Sequence, residues 1–502
     1  MKTPVFQNND SWYKFLDVLE ADNPSNRLLW FNNNQLNSSD KSLKLILNPK
    51  MIVRYEPDWF KNPVIFNSEK SEMFSLNEQA FKILEEVSNH SPTFFELLIK
   101  FDALSEEILK NLINQLLKKE IVKIVSATTI TKYTQNQLRP KVGNSPQNEL
   151  FQIPYPSAPY IVTIYPTYFC NFSCLHCGVI QPEKNEIMRF TNWEKIIDTL
   201  INNSVVEIKI MGGEPLTHPD ISKIINYLVD KPIRVKFCTN GYLFSDDLLE
   251  KILLSNNIDL LLSLDGGTKE IHDKMRNYHG AFKKMIHILS KAKTFKVSKK
   301  ILLNSVISKI NENDFKQIID LAYKFEVKHL AFLYTYHAGK CRHNNCYLNF
   351  YNNQELPDKI LDYSKKYLNE ISVSVQGIGP NENNKTKKIN SFFGHDIICN
   401  AGNIACMIDP LGNLYPCDIL STIIPKKRRK YIIGNVLKED FSVLWNSEKF
   451  LLFRGGYESE NLKYCNDCKY NEFCGQKKCR LYALASTDDY DGKAYECNFI
   501  EN

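Results

Sequence analysis

Residues 160–178 read YIVTIYPTYFCNFSCLHCG, and their reading decides the fold. The first third is a short apolar run with β-branched residues, the signature of a buried strand. A loop comes directly after it, in which Cys170, Cys174 and Cys177 are spaced CxxxCxxC, so that three thiolates can converge on one side. Outward from this stretch the pattern repeats. Apolar runs at 205–211, 233–238, 258–264, 301–307 and 329–334 alternate with amphipathic helical stretches, and such spacing implies parallel βαβ units. With residues 160–165 they make six strands, which predict an α/β fold: a partial (β/α)6 TIM-type barrel with its chemistry at the carboxyl ends of the strands.

A chain of 502 residues with 43% hydrophobic content suits two to four packed units. The net charge of +6 is spread over many Lys and Glu residues. The run Lys426, Lys427, Arg428, Arg429, Lys430 is isolated and reads as a solvated loop, so no nucleic-acid partner is expected. Asn8, Asn9 and Asp10 interrupt the start where a secretory signal needs an apolar stretch, and no later segment has the length of a membrane span. The expected location is the cytoplasm. In a reducing compartment the 14 cysteines argue for metal or cluster ligation over disulfides, and none precedes Cys170.

Residues 1–45 are rich in Asn and Asp and read as an N-terminal extension. Residues 46–126 read as a small winged-helix-like domain: strands at 52–55, 64–66 and 72–75, helices at 77–87, 93–101 and 106–118, and a last strand at 121–125. Polar residues 127–155 make a linker, 156–345 the barrel, and 346–395 a connecting segment. From 396 to 502 the chain is loop-rich and cysteine-rich, as a segment folded around inorganic clusters would be.

A [4Fe–4S] cube normally takes four cysteines, so three leave one iron open to a cofactor or substrate. Zinc is the alternative, but zinc motifs usually pair two CxxC units or CxxC with HxxxH, and the one nearby histidine, His176, lies inside the loop. Further motifs occur at successive strand ends: Gly212, Gly213, Glu214, Pro215; then Thr239, Asn240, Gly241; then Ser263, Leu264, Asp265, Gly266 with His272, Asp273 and Arg276. The paired glycines would let the backbone approach a ligand closely. Each motif alone fits a strand-to-helix turn. In this order after CxxxCxxC they resemble the radical S-adenosylmethionine (SAM) superfamily, from about residue 156 to the end, although His176 stands where many relatives carry an aromatic residue. The resemblance implies that Cys170, Cys174 and Cys177 hold a [4Fe–4S] cluster and that the motif around Glu214 takes the amino group of SAM. Thr239, Asn240, Ser263, Asp265 and Arg276 would lie about its carboxylate and ribose. It further implies reductive cleavage of SAM to a 5′-deoxyadenosyl radical, with electrons from a flavodoxin- or ferredoxin-type donor.

From Cys399 on lie eight thiols, enough for two fully ligated cubes. Gly412 shortly before Cys417, the CxxC of Cys465 and Cys468, then Cys474 and a late Cys497, resemble the SPASM domain, with Gly434, Asn435, Val436, Leu444 and Trp445 also matching. That resemblance implies two auxiliary [4Fe–4S] clusters, one on Cys399, Cys406, Cys417 and Cys479, the other on Cys465, Cys468, Cys474 and Cys497. The Cys474 to Cys479 gap is one residue longer than the common form. A zinc ribbon would use CxxC equally well.

Asp418 comes directly after Cys417, and an aspartate in this place resembles the catalytic base of sulfatase-maturing relatives; a loop cap is the plainer role. Cys238 sits in a strand as a core residue, and Cys341 and Cys346, near His337 and His343, read as ordinary thiols or substrate contacts. Residues 73–84, from Met73 to Leu84, resemble the PqqD-like peptide-recognition element of peptide maturases, which would take a precursor's leader as an added strand on its open edge. A winged nucleic-acid binder is the competing assignment, but no basic recognition helix is present. Together these resemblances imply maturation of a ribosomally made peptide, foremost by a thioether between a cysteine sulfur and a carbon. Carbon–carbon crosslinking, epimerisation and formylglycine formation use the same machinery. Zinc-dependent binding or non-catalytic peptide carriage are the readings from outside enzymology.

Overall fold

Three hydrogen-bonded caps explain the small N-terminal domain. Asn77 accepts from Ala80 N at 2.7 Å, Thr93 and Glu96 form a reciprocal capping box, and Ser105 accepts from Ile108 N. They start helices α1 (Glu78–His90), α2 (Phe94–Lys100) and α3 (Glu106–Lys118). The computed structural model describes residues 14–19, 43–55, 63–69, 72–126, 141–142, 156–184, 186–335, 337–348, 353, 355–376, 400–454, 480–487 and 489.

Strand β1 (Lys14–Leu19) comes first, then β2 (Leu43–Leu47), β3 (Met51–Tyr55), β4 (Val64–Asn67), β5 (Glu72–Leu76), β6 (Val122–Ser126) and β7 (Lys141–Val142). Antiparallel β3, β4 and β5 form the wing, and β6 closes the domain by pairing with β2. The β2 strand reaches three residues ahead of the expected domain start, into a stretch whose Asn-rich surroundings hide it. Both wing edges are occupied: β7 runs parallel to β3, and β1 runs parallel to β5 with a register shift at Leu16/Val18. The open edge expected on the wing is therefore not found among the described residues, and the β5 side is covered by the chain's own N-terminal extension.

The barrel strands are β8 (Ile161–Ile164), β9 (Glu207–Ile210), β10 (Arg234–Thr239), β11 (Ile258–Ser263), β12 (Ile301–Ile307) and β13 (His329–Tyr334), all parallel. A further parallel strand, β14 (Ser372–Gln376), pairs with β13 from within the expected connecting segment. Between them run α4 (Phe190–Asn202), α5 (Ile221–Leu228), α6 (Asp246–Leu254), α7 (Lys269–Arg276), α8 (Ala281–Thr294), α9 (Phe315–Lys324) and α10 (Glu355–Ser364). Ile208, Ile210, Val235, Phe237, Leu260 and Leu262 pack outward with buried Trp193 and the helices. Because strand side chains alternate, Glu207, Lys236, Cys238, Asp259 and Leu261 face the interior. There Lys236 pairs with Glu207 at 2.8 Å and Arg234 with Asp259.

The C-terminal part extends this sheet. β15 (Ala405–Ile408) pairs parallel with β8, and β16 (Asn413–Tyr415) and β17 (Gly434–Asn435) continue antiparallel, giving ten strands in one sheet. Helices α11 (Pro425–Arg428), α12 (Phe441–Trp445), α13 (Glu448–Arg454) and α14 (Arg480–Thr487) complete the described portion. Trp445 is buried and donates its indole N–H to Pro156 O at 2.6 Å, pinning this part to the start of the barrel.

The winged domain docks close by, at the amino ends of the barrel strands. Buried Arg54 donates to Ala158 O at 2.9 Å and lies 3.9 Å over the Tyr160 ring, and Arg234 reaches Ser68 O and Glu69 O. These partners stand at the amino ends of β8 and β10, away from the motif-bearing loops. Among the described residues no helix is long and apolar enough to cross a membrane.

Candidate active site

Beyond β8 the chain turns into the loop carrying Cys170, Cys174 and Cys177. The three thiols pack in one cluster with Phe172, Ala281, Tyr242 and Tyr278, where Phe172 stacks on Tyr278 at 4.3 Å and Tyr242 meets Tyr278 edge-on at 4.7 Å. Burial pushes the Cys170 thiol up to about 12 and raises Cys174, so only ligation to a metal would keep them as thiolates near neutrality. Three thiols converging from one loop can each take an iron of a cube and leave the fourth iron open.

The glycines after β9 serve the loop itself. Gly212 has φ +141°, and a Cβ there would lie 2.2 Å from Thr167 O; one on Gly213 would lie 2.1 Å from Phe169 O. This closeness lets Gly213 N donate to Thr167 O and Glu214 N to Phe169 O at 2.8 Å, so the second strand's loop is zipped to the approach to Cys170. The close approach these glycines permit here is to the chain's own backbone.

Glu214 is buried, and its carboxylate accepts from Thr239 Oγ1 at 2.6 Å, Asn240 N at 2.8 Å and Leu216 N at 3.1 Å. Burial outweighs those bonds and pushes its carboxyl up to about 7. Pro215 opens the short 3-10 turn that Glu214 caps. Asn240 also donates to Asn171 Oδ1 at 2.9 Å, linking the third strand's loop to the cysteine loop. Thr239 and Asn240 thus hold Glu214 and Asn171 in place.

Arg276, at the end of α7, points Nη1 at Cys174 Sγ, 3.8 Å away. Its Nη2 is 2.8 Å from Asp265 Oδ2 but off the line a hydrogen bond needs, and Arg276 Nε and Nη2 and Asn171 Nδ2 are buried donors without a hydrogen-bond acceptor. Such donors beside the thiols suit an anionic cluster or a carboxylate. Burial works to raise Asp265, yet Arg276 and the neighbouring imidazoles more than offset it and hold the carboxyl below its usual range. His176 lies 3.4 Å from Asp265, and burial pushes its ring down to about 4, so the contact is a neutral imidazole beside a carboxylate. Ser263 ends β11, half-buried on the interior side. Together these residues form one constellation at the carboxyl ends of the first four strands.

Asp418 begins a 3-10 turn after Cys417, half-buried, with Oδ1 3.5 Å from Cys417 Sγ. Its charge bears on Tyr165 and on Cys238, which burial pushes up to about 11, so Asp418 overlooks the barrel interior. Cys238 packs there with Leu261, Leu302 and Met211. Cys406 lies in the main core, whereas Cys417 packs with Tyr165, Met407 and Leu420, so these two thiols belong to different packed clusters. Cys399, Cys465, Cys468, Cys474, Cys479 and Cys497 lie outside the described residues.

Sequence reasoning missed the struts. Phe172, Tyr242 and Tyr278 each stand within two residues of a named motif, and that recurrence was the available signal. Cys341 and Cys346 are buried with sulfurs 3.2 Å apart, and Cys346 reaches Leu175 O in the cysteine loop. Lys340 N donates to Cys177 O at 2.9 Å, so this segment braces the loop from behind.

Family comparison agrees with this geometry. Residues 164–322 match the radical SAM superfamily, and 399–469 match SPASM, an iron–sulfur cluster-binding domain. The chain is thus an enzyme that carries a radical SAM domain followed by a SPASM domain. An AdoMet-dependent heme synthase of Methanosarcina barkeri is 25% identical over 362 residues, covering 66% of this chain and 95% of that protein. The mycofactocin maturase MftC of Mycolicibacterium smegmatis is 25% identical over 346 residues, covering 68% and 83%. Among solved structures, Streptococcus suis SuiB bound to its precursor peptide SuiA has a TM-score of 0.64 at 16% identity, covering 90% of this chain and 100% of SuiB. That likeness concerns the fold.

Proposed function

We propose that this enzyme modifies a ribosomally made precursor peptide and that the bond it forms is a thioether between a cysteine sulfur and a carbon. The observation that carries peptide maturation is the winged domain, β3 to α3 closed by β2 and β6, joined to a radical SAM site. A maturase relative and a peptide-bound structural neighbour support it. Cys170, Cys174 and Cys177 would hold the [4Fe–4S] cluster, Glu214 the ammonium of SAM, and Arg276 and Asn171, with their spare buried donors, its carboxylate or the cluster's sulfides. Bound there, cluster and SAM supply a carbon-centred radical that takes hydrogen from an unactivated carbon. Asp418, above the interior, would accept the proton released from the peptide, and the aromatic plates Phe172, Tyr242 and Tyr278 keep water from the thiols.

Two auxiliary clusters are part of this proposal, one on Cys399, Cys417 and Cys479, which Cys406 would join only by leaving the main core where it is packed apart from Cys417, and one on Cys465, Cys468, Cys474 and Cys497. Anaerobically reconstituted enzyme should then hold about twelve irons, and Cys170, Cys174 and Cys177 changed together to Ala should leave about eight. The leader is proposed to pair with the β5 edge in place of β1.

The deciding experiment incubates reduced enzyme, SAM and the Cys-containing peptide encoded beside this gene, with mass spectrometry of the products. Loss of two hydrogen atoms with one alkylatable thiol consumed supports the thioether. The same loss with every thiol still alkylatable points to a carbon–carbon link, and uptake of solvent deuterium at unchanged composition to epimerisation. Production of 5′-deoxyadenosine without any change in the peptide would overturn the peptide assignment.

A further inference from the structure

From residue 419 to residue 438 the chain carries six cations, Lys426, Lys427, Arg428, Arg429, Lys430 and Lys438, and no acid. In the sequence the run Lys426–Lys430 reads as a solvated loop. The structure instead bolts it to both flanks of the cysteine loop. On one side buried Arg428 lies 4.2 Å over the ring of Tyr168, two residues before Cys170. On the other, Ile180 N donates to Ser421 O at 2.9 Å, and a Cβ on Gly178 would lie 3.2 Å from Thr422, directly after Cys177. Ser421 also meets Tyr165 Oη at 3.3 Å. The anchor is therefore the turn Asp418–Thr422 together with Arg428, and the exposed part is the stretch they carry outward.

That exposed part is Lys426, Lys427, Arg429 and Lys430, with Ile424 beside them 47% exposed. No ion pair among the described residues engages Lys426, Arg429 or Lys430. Exposed cations close in sequence to an exposed apolar side chain, with Lys430 lying 5.2 Å over the Tyr431 ring, steer an acidic partner. Their place beside the thiol loop says which partner. Two residues of chain, about 7 Å at full stretch, separate the Tyr168 that Arg428 covers from Cys170. A redox protein seated here is held against the loop that must receive its electron. An acidic peptide would also be attracted, but the proposed leader edge, β5, belongs to the domain docked at the other end of the barrel.

We infer that Lys426, Lys427, Arg429 and Lys430, together with Ile424, form the docking surface for an acidic one-electron donor of the flavodoxin or ferredoxin type. The inference rests on Cys170, Cys174 and Cys177 holding a cluster. One electron leaves the reduced donor and enters the oxidised cluster, and no bond forms or breaks in that transfer.

The test uses the full-length reconstituted enzyme with Lys426→Glu, Arg429→Glu and Lys430→Glu combined. Reduced flavodoxin and dithionite are supplied in separate assays of 5′-deoxyadenosine formation, and the affinity for oxidised flavodoxin is measured by calorimetry at low and high salt. The expected result is a fall of about tenfold or more in the flavodoxin-driven rate and affinity at low salt, a difference that shrinks as salt rises, with the dithionite rate unchanged. Unchanged flavodoxin affinity and rate would overturn the proposal, as would a loss of precursor-peptide affinity or of nucleic-acid retention in place of donor affinity. If dithionite gives no 5′-deoxyadenosine with the unaltered enzyme, the radical SAM site itself fails, which is a separate outcome. Misfolding of the triple variant is checked by its iron content, and Lys426→Gln with Lys430→Gln then carries the same comparison with a smaller expected loss.

Discussion

At Glu214 a single carboxyl is given two opposed instructions. Thr239, Asn240 and Leu216 donate to it as though it were charged, while full burial pushes its pKa up to about 7. Below that pH the group is neutral and cannot pair with an ammonium; above it the charge is present. SAM binding should therefore tighten as pH rises through about 7 and should release a proton near that pH, which calorimetry in two buffers of different ionisation enthalpy reads directly. Glu214→Gln should remove the pH dependence and weaken binding about 10- to 100-fold, the worth of a charge-assisted hydrogen bond. Asp418 acts apart from this group, because it neighbours Cys417 and the interior and does not touch the Glu214 constellation. Asp418→Asn should leave 5′-deoxyadenosine formation within about twofold and slow product formation about 10²- to 10⁴-fold, as loss of a general base does. Equal loss of both would make it a structural cap.

Among the elements, β1 carries the clearest consequence. Its backbone pairs with β5 from Lys14↔Glu72 to Leu19↔Leu76, along the edge on which a leader strand is proposed to add. An edge strand invites such pairing, and covering it with another segment of the same chain protects it. Deleting residues 1–20 should raise leader affinity about tenfold if β1 is docked nine-tenths of the time. Fluorescence anisotropy of a labelled leader measures this, and reduced affinity would show instead that β1 builds the site. Strands β1 and β2 were the least legible elements, since Lys14–Leu19 and Leu43–Leu47 are short runs within an Asn-rich stretch, and their partners lie about 60 to 80 residues away. Elements with local signals were plain. The helices after Asn77, Thr93 and Ser105 have polar caps before amphipathic stretches, and the barrel strands are short apolar runs separated by amphipathic helical stretches. Strand β14 escaped because Ser372–Gln376 alternates polar and apolar residues, as suits the sheet's last strand with one neighbour. The motif residues at the strand ends were legible for the same reason as the barrel, and Arg276, at the end of α7, by its spacing after them. Their mutual support was not: that Gly212 and Gly213 press on Thr167 and Phe169 depends on a β8–β9 pairing that spacing alone does not reveal.

For the molecule as a whole, the two ends of the barrel are assigned different work. Arg54 and Arg234 fix the winged domain to the amino ends of β8 and β10, while the cysteine loop, Glu214 and Arg276 stand at the carboxyl ends. The longest barrel strand, β12, has seven residues, about 23 Å at 3.3 Å per residue. A leader held below must send its target residue past that height and around the layer of helices, about another 10 Å. At 3.3–3.6 Å per residue the connecting peptide needs about ten residues even when fully extended. Precursors shortened below about ten residues between leader strand and target should bind with unchanged affinity yet go unmodified, while lengthening the spacer should cost little, since loop entropy grows only logarithmically. Titrating binding and product by mass spectrometry across a spacer series separates the two. Full modification of short-spacer precursors would mean that the leader leaves the winged domain before the chemistry, making that domain a site of first capture and not the anchor during turnover.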